Sequence, residues 1–345
     1  MVKEKRDSAR SGGRIFVAVT VGITVVILVA SFAGSGEVLK NLLSADPLWI
    51  LLLFLDALGV VFVDALRIVL LSKWKVSLWR SIKASIYGFY ASAITPFASG
   101  GQPFQIYYLT KTGLEVERAS MIVGVKFISS FTISVVLGLF AMIFYGDEIA
   151  SVKYLGKLIY IGVAVTLFFY FFFLLLAINT KFGKWFLSLP IVVVPMAFFL
   201  KKEKREIYSV VEEKVNAYRN MLLSVWRDSR ISLVLTMLLS FLMVGLILSA
   251  PYMAVKSVGG DVPFLKSLGM MAAMTMVFYF IPTPGASGGV EGVFYLVFSK
   301  IVPSDIAASA LIVWRFFSYH LSLIMGIILG SGYVMRGDRI GGDSQ

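Results

Sequence analysis

Two seven-residue stretches break apolar segments in opposite halves of a 345-residue chain: Thr95-Pro-Phe-Ala-Ser-Gly-Gly101 and Thr283-Pro-Gly-Ala-Ser-Gly-Gly289. They differ only where Phe97 faces Gly285, and Tyr107 lines up with Tyr295 further on. A Thr-Pro step followed by two glycines ends a helix and leaves backbone N–H and C=O groups unpaired. At membrane depth such backbone is tolerated only when buried in protein or lining a wet cavity. Matched breaks in two halves of an apolar chain mark the central site of many transporters. The plainer alternative is a pair of helix breaks kept for packing.

Composition places the breaks in a membrane. The chain is 58% hydrophobic and 15% charged, with a mean hydropathy of +0.86. That balance describes a polytopic membrane protein. With no cysteine, disulfides, thiolate metal sites and cysteine nucleophiles are excluded. One histidine and no acidic cluster at ligand spacing leave no zinc motif, and no cofactor is expected. The net charge of +12 sits mostly in short segments between apolar runs. It therefore fits topology and anionic lipid headgroups, with no nucleic-acid partner.

Read in order, a basic tail (1–14) precedes one transmembrane domain (15–345). Full spans are expected at 15–33, 47–71, 119–145, 154–178, 231–255 and 306–334. Asp46-Pro47 reads as a helix cap with proline at the first helical position. The segments 82–94 with 102–109, and 264–281 with 290–298, are half-length pairs around the breaks. The expected fold is thus all-α: about six full transmembrane helices plus two re-entrant hairpins, or eight spans if the hairpins cross. Repeat one covers about 47–178 and repeat two about 231–335. Between them, about 179–230 forms a basic amphipathic linker, with Ile207, Val210, Val211, Val215 and Tyr218 at helical spacing. Most of the 32 lysines and arginines fall on one side when both termini are cytoplasmic. The first hairpin then enters from the cytoplasm and the second from outside, so the halves are inverted repeats.

Lys126-Phe127 aligns with Arg315-Phe316 after a one-residue shift, which puts a cation in each half about 10–15 Å into the membrane. Intramembrane cations are costly and usually face a partner or a wet cavity. Thr95, Ser99, Gly100 and Gly101, with Thr283, Ser287, Gly288 and Gly289, place two helix starts nearby. Free N–H groups and the helix dipole favour an anion there. Two such starts with Lys126 and Arg315 would hold an anionic headgroup. Asp56, Asp64 and Glu291 are the candidate counter-ions, and Pro103 stands where Glu291 has its equivalent. Asp64 and Arg67 share a helical face and can pair, or Arg67 can snorkel to the basic helix end. If lipid phosphate is a transient partner, Lys126→Gln and Arg315→Gln should fold nearly normally. A permanent carboxylate partner instead predicts a loss of several kcal/mol.

Other chemistries meet the same residues. Gly285-Ala286-Ser287-Gly288 matches the Gly-x-Ser-Gly of rhomboid-type intramembrane serine proteases, with His320 in a later span. A Ser287–His320 dyad requires hydrogen-bond contact. A glycine expected three residues after the histidine is replaced by Leu323. A small-anion secondary transporter is a further alternative. No Walker-type loop is present to couple ATP.

The stretches 93–107 and 282–291, with the trailing Lys126 and Arg315, resemble the lysylphosphatidylglycerol-synthase transmembrane-region family. Its members are flippase-like and similar to the membrane half of the multiple peptide resistance factor. The resemblance spans nearly the whole chain. It implies a non-enzymatic protein of the cell membrane that moves an anionic lipid or lipid-linked phosphate between leaflets, possible homo-oligomers included. The family's aminoacyl-transferring soluble domain has no counterpart in this sequence, so lipid synthesis is not implied.

Overall fold

The computed structural model describes residues 36–151, 155–190, 193–194, 213, 216, 230–278 and 281–335. The basic tail, the first expected span at 15–33 and most of the amphipathic linker beyond residue 190 lie outside the described residues. Every regular element described is helical. They are α1 (Gly36–Leu43), α2 (Pro47–Leu71), α3 (Leu78–Ile94), α4 (Gly101–Lys111), α5 (Val116–Ala150) and α6 (Leu155–Ile178). Then come α7 (Thr180–Leu187), α8 (Arg230–Ser257), α9 (Phe264–Phe278), α10 (Gly289–Phe298) and α11 (Ser304–Arg315). A π-helical turn (Phe316–His320) joins α11 to α12 (Leu321–Met335).

Among the described residues, four helices are long and apolar enough to cross a membrane: Pro47–Leu71, Val116–Ala150, Arg230–Ser257 and Ser304–Leu329. A fifth is added if the bent pair Ile159–Leu175 and Thr180–Leu187 is one span. The protein is an all-α polytopic membrane protein. Its outer surface carries Leu51, Phe62, Ile143, Phe144, Phe168 and Phe241, all exposed, as a lipid-facing surface requires. Asp46 caps α2 as its sequence indicates: the carboxylate accepts from the Leu48 N–H at 2.8 Å, with Pro47 at the first turn.

The central pair is α2 against α8, closed at one end where the Asp46 N–H donates to the Ser257 carbonyl. Lipid tails are as apolar as leucine, so close approach and polar links hold such helices together rather than a hydrophobic drive. Gly326 on α12 lets the Tyr90 ring of α3 lie where a Cβ would be, only 2.4 Å away. Thr166 on α6 donates to the Met276 carbonyl of α9 at 2.7 Å. Phe294 of α10 stacks on Phe298 and on Trp314 of α11, with centroids 4.3 and 4.7 Å apart.

The half-length helices double back. Along α3 and α4, Tyr87 meets Phe104 and Tyr108, while a Cβ on Gly88 would strike the Gln105 side chain. Val76, Leu109 and Leu114 share one apolar cluster, so α3 starts and α4 finishes at the same end of the bundle. Arg118 donates to the Ser72 carbonyl at that end. At the other end, Lys266 near the start of α9 pairs with Glu148 at 2.7 Å. Val262, Phe298 and Val302 share the core there, and Asn41 holds Asp305. The α9–α10 unit therefore begins and finishes at the end opposite to α3–α4.

The tips of the two units meet. Pro96 and Pro284 form an isolated antiparallel bridge. Proline has no N–H, so this is a narrow pair whose backbone bonds fall to its neighbours. Each break carries two successive left-handed residues: Phe97 (φ 55°) and Ala98 (φ 51°), then Gly285 (φ 57°) and Ala286 (φ 57°). The repeat is thus one of backbone conformation as well as of letters. Single cysteines at Thr112 and Ser304 should label from opposite faces of a sealed vesicle, because their segments lie at opposite ends of the bundle. Labelling from one face would refute inverted membrane insertion.

Candidate functional site

The first cation sits in a buried cluster. Asp64 comes from α2, Ser85 from α3, Gln105 from α4 and Lys126 from α5. The Lys126 Nζ donates to Asp64 Oδ2 at 2.7 Å and to Gln105 Oε1 at 3.0 Å. Ser85 Oγ and Gln105 Nε2 donate to the same Asp64 oxygen, at 2.7 and 3.1 Å. Arg67, one turn beyond Asp64, reaches Asp64 Oδ1 at 3.4 Å and also donates to Met243 Sδ and to the Lys126 carbonyl. At 1% exposure Arg67 does not snorkel. The turn at Ser72–Val76 and Arg118 covers the helix end to which it would have reached.

Two cations therefore share one carboxylate, which leaves one positive charge in surplus. The cluster borders a cavity of about 180 Å³ lined by Asp64, Arg67, Gln105, Lys126, Ser92 and Ser130, with Phe127 and Phe131 as its apolar part. Arg67 Nε and Ser130 Oγ are buried without a hydrogen-bond partner. Buried polar atoms are nearly always paired, so such donors need an explanation. Gly101 lines the cavity as well. Its Cβ would lie 2.1 Å from Ser92 Oγ and 2.9 Å from the Gly88 carbonyl. Glycine there serves the close crossing of α3 and α4.

The second cation is held differently. Arg315 Nε donates to Glu291 Oε1 at 2.6 Å, and the Gly288 N–H donates to Glu291 Oε2 at 2.6 Å. The same guanidinium reaches the Gly285 carbonyl at 3.2 Å and Ser287 Oγ at 3.4 Å, and lies 4.6 Å from the Tyr319 ring centre. Glu291 thus takes the place at the start of α10 that an outside anion would take. In the first half Pro103 holds that position and no carboxylate does so.

The remaining break residues bond within their own turns. Thr95 Oγ1 accepts from the Gly100 N–H at 2.9 Å and donates to the Ala91 carbonyl at 2.7 Å. Ser99 donates to Pro96 O at 2.9 Å, and Thr283 donates to Ser287 O at 2.7 Å. A Cβ at Gly100 would meet the Thr95 side chain at 2.6 Å, Gly289 would meet Ile281, and Gly288 sits at φ 88°. These glycines answer to the fold before they answer to a ligand. Asp56 joins neither cation; its near partner is Ser249 Oγ at 3.4 Å.

The protease dyad is not assembled. His320 Nδ1 lies 3.1 Å from the Arg315 carbonyl, and Nε2 has no hydrogen-bond partner. Sequence reasoning had not singled out Gln105 or Ser85 as site residues. Gln105 stands inside the quoted stretch 93–107, and its polarity in an apolar hairpin is the signal that identifies it.

Known proteins bear on this architecture. A "UPF0104 membrane protein" from Archaeoglobus fulgidus is 22% identical over 253 residues, covering 72% of this chain and 74% of the relative. Residues 15–326, which include both breaks and both cation clusters, match the family described as the lysylphosphatidylglycerol synthase TM region. The chain belongs to that family of integral membrane proteins.

Proposed function

We propose that this protein binds an anionic phospholipid headgroup at the Lys126–Arg67 cavity and helps it move between leaflets of the cell membrane. The observation that carries the reading is the charge count at the cavity: two buried cations against Asp64, with Arg67 Nε and Ser130 Oγ unpartnered. A phosphodiester would neutralise the surplus charge and accept from those donors. Phe127 and Phe131 would meet the apolar part next to the phosphate. The α3–α4 and α9–α10 units would be re-entrant hairpins in inverted repeats, with both termini cytoplasmic. No covalent chemistry is assigned to the protein.

The halves take unequal parts in this reading. Lys126 serves the ligand, whereas Arg315, already neutralised by Glu291, serves the second break. Lys126→Gln should fold, because Arg67, Ser85 and Gln105 still hold Asp64. Its affinity for phosphatidylglycerol in detergent should fall at least about tenfold, or roughly 1.4 kcal/mol. Inorganic phosphate as a second titrant separates a lipid site from a small-anion site. Unchanged phosphatidylglycerol affinity in folded Lys126→Gln would end the proposal.

A further inference from the structure

A second cavity, of about 220 Å³, lies beside the first and contains Asp56. Its other walls are mostly apolar, including Leu53, Val60, Ile247, Met271 and Trp314. Asp56 is 8% exposed, and Ser249 gives it one long hydrogen bond. A carboxylate in such surroundings is unstable as a bare charge unless a cation joins it. No lysine, arginine, histidine or second carboxylate lines this cavity among the described residues.

Most charged groups of the surrounding helices are committed elsewhere, and Arg230, at the far end of α8 from Ser249, does not line the cavity. On α2, Asp64 and Arg67 belong to the Lys126 cluster. On α8 and α9, Lys256 pairs with Asp261 and Lys266 with Glu148. On α11, Asp305 holds Asn41 and Arg315 holds Glu291. His320, on the π turn, bonds the Arg315 carbonyl. On α3, Lys83 lies over the Trp79 ring, and neither it nor Arg80 lines the cavity.

Two further features set this carboxylate apart from a packing accident. The wall facing it includes Phe317 and Ser318 from the π-helical turn, with Ser322 one turn on. Single π turns inside α-helices recur at functional sites. Phe89 lines this cavity and the Lys126 cavity alike, so one side chain contributes to both walls.

We propose that Asp56 is a proton-binding site, and that taking up and releasing this proton drives lipid movement at the neighbouring cavity. The cation that Asp56 lacks from the protein comes from solution, and a proton needs no ligand shell. Ser318 and Ser322 place hydroxyls on an otherwise apolar wall, and Ser249 bonds Asp56 itself. A proton entering from one side would leave to the other as the cavities exchange access. Coupling rests on the transport reading above; proton binding at Asp56 does not.

The test has two arms on the full chain reconstituted in phosphatidylglycerol vesicles. Infrared difference spectra on a pH step should show the carbonyl stretch of a protonated carboxyl, lost in Asp56→Asn. Ser249→Ala should shift that band without removing it, which keeps the test usable if the Asn variant does not fold. A band unchanged in both variants would overturn the proton site. In the second arm, an imposed pH gradient should speed leaflet exchange several-fold in the wild type and have no effect in Asp56→Asn. Phosphatidylglycerol binding by that variant should stay intact. Exchange that ignores the pH gradient, or follows a sodium gradient instead, would overturn the coupling. A wild type that exchanges no lipid would overturn the transport reading, while the infrared band would still decide the proton site.

Discussion

Asp64→Ala is expected to cost about 3–5 kcal/mol, among the largest losses available to a single substitution here. The carboxylate neutralises Lys126 and Arg67 together, and also accepts from Ser85 and Gln105. Without it, two like charges remain side by side in a buried site, and the Ser85 hydroxyl loses its acceptor. Thermal unfolding in detergent measures the loss. Asp64→Asn should recover part of it, since an amide oxygen can still accept these bonds but carries no charge. A melting temperature within a degree of wild type for Asp64→Ala would show the cluster to be well hydrated rather than a buried network.

Arg315→Gln should also cost about 3–5 kcal/mol, in contrast to the milder Lys126→Gln. Glu291 would keep the Gly288 N–H but lose its cation, and the Gly285 carbonyl would lose a donor. Tyr319, which packs on the guanidinium, donates to the Ala93 carbonyl beside the first break. Loosening Arg315 therefore loosens the joint between the halves. Below its own melting temperature the variant should still bind phosphatidylglycerol with near wild-type affinity, because the Lys126 cavity keeps both cations. Loss of binding with unchanged stability would reverse the roles assigned to the two cations.

Much of this was legible in the sequence for local reasons. Thr-Pro and paired glycines act on their own backbone, so the breaks declare themselves, whereas the left-handed backbone at Phe97, Ala98 and Ala286 was not legible, because residues with a Cβ rarely adopt it. Long apolar runs mark the four spanning helices equally well. Partnerships between helices were harder. Lys126 and Arg315 align in sequence, yet one is paired from α2 and the other from α10. That difference depends on helix packing, which no periodicity encodes. Pro103 opposite Glu291 was the one visible sign of asymmetry. Arg67 looked like a snorkelling residue because it lies near a basic helix end, but the folded turn behind it closes the route to water. Asp56 and Asp64 are equivalent as letters, and only packing separates the shared counter-ion from the solitary carboxylate.

The meeting of Pro96 with Pro284 bears on how the chain is assembled as it leaves the ribosome. The first break is made long before the second exists, so in the proposed re-entrant arrangement its tip must wait at membrane depth without its backbone partner. Unsatisfied peptide groups in hydrocarbon cost several kcal/mol each, which makes the waiting half a poor independent unit. Contacts between residues so distant in sequence also form late. A chain ended after α6 should therefore insert but stay a substrate for membrane proteases, and co-expression of the second half as a separate chain should protect it.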